Sequence, residues 1–163
     1  MLRNAILALV LLASFVAVSP GRTIDDIKEP AESATRAELE KWLIRALGKY
    51  GKHKTHSMSV SIASAKFEGC VLSLEMLHKP NSIDTRMDRT VYRTKKVTHT
   101  VSIDLVTIAE DGLTTREYLD ADLRTIVVGY PGGVEIEVVV QREAAASMRN
   151  VFERLRGECR PAS

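Results

Sequence analysis

Four histidines and a pair of aspartates are the side chains in this sequence with the clearest capacity for chemistry. His53 and His56 are close enough along the chain to share a metal ion. Lys52 and Lys54 flank His53, however, and their positive charges oppose a bound cation. No carboxylate lies nearby in the sequence to complete a ligand shell. We therefore interpret this segment as a solvated basic loop.

The remaining candidates for catalysis or metal binding are equally unspecific. His99 lies on the apolar face of a predicted strand, where a histidine is more often a core or rim residue than a catalyst. Asp120 and Asp122 form an Asp-x-Asp pair that could bind a hard cation, but the segment lacks the spacing and the glycine turn of a calcium loop. Nucleophile-elbow, zinc-protease, P-loop and dinucleotide fingerprints are absent from the sequence. The sequence predicts no catalytic residue, no metal site and no cofactor.

One surface feature has a functional interpretation, and it is the basic segment formed by Arg86, Arg89, Arg93, Lys95 and Lys96. These side chains could contact an anionic partner such as a lipid headgroup, a polysaccharide or an acidic protein face. The alternative, which we favour, is a charged loop that discourages pairing at a sheet edge. The formal net charge of the whole chain is only +2, which gives no support to nucleic-acid binding.

The start of the chain is typical of a secretory signal peptide at residues 1–21. Arg3 precedes an apolar run from Ala5 to Val18, and small residues follow. A bilayer span needs roughly 20 apolar residues, so we expect cleavage and no transmembrane anchor afterwards. The mature protein would then reside in the periplasm or be secreted. Composition predicts a flexible leader at 22–34 and a single globular domain at 35–160.

The two cysteines of the sequence, Cys70 and Cys159, are expected to form a disulfide. In an oxidising compartment an even number of cysteines usually pairs. Alternation places Cys70 on the apolar face of a strand, and helical spacing places Cys159 on the stripe of Phe152 and Leu155. Both thiols would face the core. The alternative is two separate buried thiols.

Hydrophobic periodicity predicts a helix at each end of the domain and strands between them. The first helix follows Thr35, which forms a capping box with Glu38, and ends at Gly51 in a left-handed conformation. The second helix covers Glu143 to Arg156. Period-two alternation predicts seven strands, at 58–62, 70–76, 90–94, 97–105, 113–118, 123–130 and 134–141.

This order predicts a mainly-β α+β domain of about seven antiparallel strands, arranged as a bent sheet or partly open barrel with an amphipathic helix at each end. Four segments carry a resemblance: Glu40-Lys41-Trp42-Leu43, Phe67-Glu68-Gly69-Cys70, Val101-Ser102-Ile103-Asp104-Leu105, and the helix that ends in Cys159. Over roughly Ala37 to Cys159 the chain resembles uncharacterised exported bacterial domains with a pleckstrin-homology-like fold. The resemblance implies a fold, and it implies no activity or site residue.

Two functional hypotheses follow from the sequence. The first is a non-enzymatic exported domain that binds an anionic envelope component or another protein, through its basic loops or an exposed sheet edge. The second is a small envelope or secreted hydrolase or metal-dependent enzyme that uses His99, or the His53/His56 pair, with carboxylates brought near by folding. A histidine hydrogen-bonded to a carboxylate in a deep cleft would favour the enzyme, and a shallow surface without such a pair would favour binding.

Overall fold

The computed structural model describes residues 28–54, 58–80 and 96–160. The predicted signal peptide at 1–21 and the short predicted strand at 90–94 lie outside these ranges. Within them, two helices and seven antiparallel strands follow one another along the chain. The prediction of a mainly-β domain of antiparallel strands with two helices is confirmed.

Helix α1, Arg36–Tyr50, begins and faces the core as the sequence predicts. Thr35 is its N-cap, and the Glu38 carboxylate accepts the Thr35 backbone N–H at 2.7 Å to complete the capping box. The helix buries one apolar stripe against the rest of the domain. Its members are Leu39, Trp42, Leu43, Ala46, Leu47 and Tyr50.

The strands form two antiparallel sheets, with the orders β1-β2-β3-β4 and β5-β6-β7. Their bounds are β1 His53–Lys54, β2 Met58–Glu68, β3 Val71–Pro80, β4 Val97–Asp104, β5 Leu113–Glu117, β6 Leu123–Gly129 and β7 Glu135–Gln141. Within each sheet, strands that are adjacent in sequence pair with each other. The connections are therefore those of a simple meander.

The prediction of one bent sheet or partly open barrel is wrong, because the described strands form two separate sheets. The chain leaves β4 at Asp104 and reaches β5 only after residues 105–112. Leu105 and Ile108 in this connection are both buried, although they lie three positions apart. A continuous strand would point two such residues to opposite faces, so the ladder breaks here. The connection instead packs into the core.

Gly51 ends α1 for a different reason than the predicted one. Its φ is −80°, so the predicted left-handed conformation is wrong. A Cβ atom at this position would lie 2.5 Å from both Ile62 Cδ1 and the carbonyl oxygen of Leu47. Glycine is therefore required here by the close approach of α1 to β2.

A β-bulge in β2 changes which of its residues face the core. Ala63 is an extra residue in the ladder between Ile62 and Ser64. Ile62 faces the core before the bulge, and Ala65 and Phe67 pack against the core after it. Without the extra residue, the two halves of the strand would present opposite faces to the core.

Helix α2, Arg142–Cys159, packs on α1 and on all three strands of the second sheet. It extends beyond the predicted end at Arg156, because the helical stripe continues to Cys159. Residues of both helices and both sheets contribute to one hydrophobic cluster. Four side chains of α2 at its centre are fully buried, namely Met148, Val151, Phe152 and Leu155. Each contributes roughly 1.5–3 kcal/mol by burial alone.

Arg156 ties α2 to the connection between the two sheets. Its exposed fraction is only 9%. Its guanidinium group donates to the backbone carbonyls of Ala109 and Glu110 at 3.0 and 2.9 Å. Glu153, one turn earlier, lies 3.5 Å away and balances the charge. The buried guanidinium is thereby paired and hydrogen-bonded, as a charge at this depth must be.

Residues 28–34, which composition marks as the end of a flexible leader, are held against both helices. Arg154 of α2 donates to three successive backbone carbonyls, those of residues 30–32, at 2.8–3.1 Å. The indole N–H of Trp42 in α1 donates to the carbonyl of Lys28 at 2.8 Å. Side chains of two helices thus satisfy the backbone of this segment and fix its path.

Cys70 and Cys159 form a disulfide that joins the first sheet to the end of α2. Their Cα atoms lie 5.8 Å apart, within the usual range for such a bond. Cys70 lies in the turn between β2 and β3 and not on a strand face, because Gly69, with φ of +60°, reverses the chain just before it. Both cysteines are half-buried at the rim of the core.

Removal of the disulfide, in Cys70→Ala/Cys159→Ala, should lower the free energy of unfolding by up to about 4.6 kcal/mol, the chain-entropy value for a loop of this size. Chemical denaturation of the oxidised and substituted proteins measures the difference. Thiol titration of the unfolded, unreduced protein should detect no free thiol. Detection of two thiols would contradict the bond.

Arg156→Met should destabilise the protein by about 1–3 kcal/mol, since two backbone carbonyls lose a charged donor. The matched control is Arg149→Met. Arg149 lies on the same helix, and its one hydrogen bond within the described ranges goes to the neighbouring Asn150. The control should change stability by less than about 0.5 kcal/mol. Equal losses in the two variants would show that Arg156 does not tie α2 to the connection.

Candidate functional site

Most of the basic segment lies outside the described residues, including Arg86, Arg89, Arg93 and Lys95. Lys96 is described, and its side chain is exposed immediately before β4. The contact of this segment with an anionic partner stays a prediction.

Three of the four histidines lie on the first sheet. His56 lies outside the described residues, so the His53/His56 pair is not tested. His53 is half-buried in strand β1, in contrast to the solvated loop that we expected. His99 lies on the core-facing side of β4, as predicted, but it is exposed because this end of the sheet extends past the core.

One face of the first sheet carries nitrogen or sulphur donors on all four strands: His53, Met58, His78 and His99 lie at one end, and Met76, opposite His99, packs against the core. Val60 of β2 pairs with His53 on one side and with His78 on the other. Met58 and His99 lie on the two diagonals from His78. Since residues two positions apart share a face of a strand, all four side chains lie on the same face. We call this set the histidine face.

His78 is the central residue of the histidine face. Its Nδ1 lies 3.2 Å from Sδ of Met58. Its ring centroid lies 4.6 Å from that of His99, with the planes tilted by 32°. On the far side, the ring of His53 packs edge-on against Tyr118 at a centroid distance of 5.9 Å. Met58, His78 and His99 therefore form a chain of contacts that ends at the exposed His99, whereas His53 lies beyond Val60 and contacts Tyr118.

Two ring nitrogens of the histidine face are buried without a hydrogen bond to any residue that the structure describes. They are Nδ1 of His53 and Nε2 of His78. Buried polar atoms in proteins nearly always have partners, and each exception requires an explanation. An imidazole nitrogen can accept or donate a hydrogen bond, so each of these buried atoms has a hydrogen-bonding capacity that no described residue satisfies.

The histidine face is open at one end. Val97, which pairs with His78, has an exposed fraction of 57%. All side chains from 96 to 100 are exposed. Further along the same face, Ile62 and Leu74 belong to the core. The face thus passes from packed core to open rim within a few residues, and His78 lies at the transition.

Burial lowers the pKa of His53 below its ordinary value of 6.5, and the proximity of the His78 charge lowers it further. Both causes disfavour the imidazolium form. His53 is therefore neutral at physiological pH, with a ring nitrogen able to act as an acceptor.

A shallow cleft of about 530 Å³ lies beside His53 and contains the predicted Asp120/Asp122 pair. The Asp120 carboxylate accepts the backbone N–H of Asp122 at 3.0 Å, and the Asp122 carbonyl accepts the backbone N–H of Arg142 at 2.8 Å. The aspartates therefore shape the turn before β6. Within 28–54, 58–80 and 96–160, no group of three or more His, Cys, Asp or Glu side chains is arranged to hold a metal ion.

The imidazoles of the histidine face have no carboxylate partner in the described part of the chain. The contacts of His53, His78 and His99 there are with Tyr118, with Met58 and with each other. A catalytic histidine in a hydrolase is generally oriented by a carboxylate and faces a nucleophile or a water. This arrangement offers nitrogen and sulphur donors to a ligand instead.

No protein family, curated protein or solved structure matches this chain. Neither helix in the described ranges is long and apolar enough to cross a membrane.

Sequence reasoning missed the histidine face because its members come from four strands. The sequence of β2 contains one indication of it. Apolar residues occupy even positions at Val60 and Ile62 and odd positions at Ala65 and Phe67. This change of phase indicates a bulge and fixes which residues of β2 lie beside His78.

Acidification should destabilise the protein through His53. Its native pKa is lowered, so the unfolded chain takes up the proton first. The free energy of unfolding therefore falls as pH drops through about 6.5, and it levels off once the native imidazole protonates. Thermal unfolding between about pH 7.5 and about pH 5 should show a smaller loss of melting temperature in His53→Phe than in the wild type. Identical losses would contradict this assignment.

Proposed function

We propose that this chain is an exported, non-enzymatic binding module whose ligand contacts the histidine face. The observation that carries the proposal is that three imidazoles and a thioether, one from each strand of a sheet, share one face, with Met58, His78 and His99 in contact at its open end. Two buried ring nitrogens without a hydrogen-bond partner among the described residues are a second unusual feature of the same face.

Binding is favoured over hydrolysis by the surroundings of the imidazoles. A hydrolase needs a base, an orienting group and a site for the reacting atom within about 3 Å of each other. In the described ranges His78 contacts a thioether and a second imidazole, and neither of them orients a general base. The nearby cleft is shallow, and its aspartates hydrogen-bond to backbone.

Export is part of this proposal. The apolar start of the sequence at 1–21 is typical of a secretory signal, and the Cys70–Cys159 disulfide is compatible with an oxidising compartment. The periplasm and the extracellular medium both meet this condition. A second contact, between the basic segment and an anionic envelope component or another protein, remains compatible with a binding role.

The pleckstrin-homology-like fold is also proposed. The resemblance implies a mainly-β domain of antiparallel strands with a terminal helix. A four-stranded and a three-stranded antiparallel sheet followed by α2 are compatible with that description.

The binding role is tested by an NMR titration of the oxidised, ¹⁵N-labelled protein. The titrant is the low-molecular-mass fraction of a periplasmic extract or of the extracellular medium. Imidazole resonances of the histidine face should shift with a saturable dependence on concentration. His78→Gln should abolish the shifts. Arg116→Gln, which breaks a bidentate ion pair with Glu135 on the second sheet, should leave them unchanged.

Two results would contradict the binding role. One is a set of histidine resonances that stays fixed throughout the titration. The other is turnover of ester or phosphoester substrates that disappears in His78→Gln, because activity of this kind would make the site catalytic.

A further inference from the structure

The donor atoms of the histidine face are those that soft transition metals prefer. Met58 supplies a thioether sulphur, and His78 and His99 supply imidazole nitrogens. Thioether and thiolate ligands select Cu(I), imidazole suits copper and zinc, and carboxylates suit hard cations. The site has no carboxylate among its described contacts, so its chemistry differs from that of a calcium or magnesium site.

We propose that Met58, His78 and His99 together bind one Cu(I) ion. This inference rests on the proposed binding role of the histidine face and names the class of ligand. The described residues contain no group of three or more His, Cys, Asp or Glu side chains that could hold a metal ion. The proposed site is of a different kind, because its third ligand is a methionine.

The spacing of the donors fits a shared ion. Nδ1 of His78 and Sδ of Met58 are 3.2 Å apart. With metal–nitrogen and metal–sulphur bonds of about 2.0 and 2.3 Å, this separation corresponds to an angle of about 95° at the metal, roughly 15° below the tetrahedral value. The ring of His99, at 4.6 Å between centroids, is close enough to supply a third donor from the solvent side.

The bulge in β2 is what brings the sulphur to this place. In the observed register, Met58 and Val60 share the face of His78. If Ala63 were not an extra residue, the alternation of β2 would place Ser59 and Ser61 on that face instead. A hydroxyl would then stand where the thioether stands, and the preference for a soft ion would be lost.

The two cysteines are joined to each other, so no thiolate competes for copper. His53 lies beyond Val60 from His78 and is not a ligand in this proposal.

Anaerobic competition between the oxidised protein and a chromogenic Cu(I) chelator tests the proposal. The probe is Cu(I) supplied as its acetonitrile complex, and the wild type should retain one equivalent. Met58→Leu and His78→Gln should each weaken retention by at least about tenfold, since each removes one ligand. Met76→Leu, which removes a thioether that the proposal does not use, and Arg116→Gln on the second sheet are the controls, and both should stay within about twofold of the wild type.

X-ray absorption of the Cu(I)-loaded protein identifies the atoms bound to copper. If Met58 had only a structural role, its substitution would leave these atoms unchanged. A sulphur shell near about 2.3 Å together with nitrogen near about 2.0 Å is expected, and the sulphur shell should vanish in Met58→Leu. Melting temperatures of the variants, measured without copper, establish that each variant is folded.

The possible failures are distinguishable. If copper is not retained, or if Zn(II) is retained equally well with the same dependence on Met58, the Cu(I) assignment is wrong. If copper is retained but neither Met58→Leu nor His78→Gln weakens it, the site lies elsewhere in the chain. If the histidine resonances still respond to another ligand in the NMR titration, the binding role stands without copper. If they do not respond, both proposals fail.

Discussion

The two sheets share one hydrophobic core, in which α1 packs on β2 of the first sheet and α2 packs on α1 and on the second sheet, and the rest of the domain depends on that packing. No described strand of one sheet pairs with a described strand of the other. Hydrophobic contact is non-directional, so it holds α2 in place without fixing its position along the sheets. Arg156 supplies direction on one side, through the carbonyls of the connection, and Cys159 supplies it on the other, through Cys70. Burial contributes most of the stabilisation, and these two contacts fix the position of α2 along the sheets.

The same packing explains why the histidine face is open. Helix α1 packs on β2, Ile62 and Leu74 belong to the core, and the strands continue beyond the core to Pro80 and back from Val97. Strand residues that extend past a core are not required for its stability, so their identity is available for another role.

The sequence predicts local elements well because their determinants are local. Thr35 and Glu38 specify the start of α1, and the Pro-Gly-Gly turn specifies the hairpin of β6 and β7. Two features escape prediction. Residues 105–112 separate the sheets because of what Leu105 and Ile108 bury, and this depends on the assembled core. The histidine face depends on a bulge of one residue, so a correct list of strands still leaves the wrong face of β2 beside His78.

The disulfide gives the cell a chemical means of distinguishing folded molecules of this protein from unfinished ones. With two cysteines there is one possible intramolecular pairing, so oxidative folding has no incorrect isomer to correct. Cys159 follows Cys70 by 89 residues and lies at the end of the last helix. A chain that stops early, or whose final helix fails to dock, keeps a lone thiol at the Gly69 turn. That thiol is a chemical mark of an unfinished molecule, which thiol oxidoreductases of an oxidising compartment can detect by forming a mixed disulfide with it.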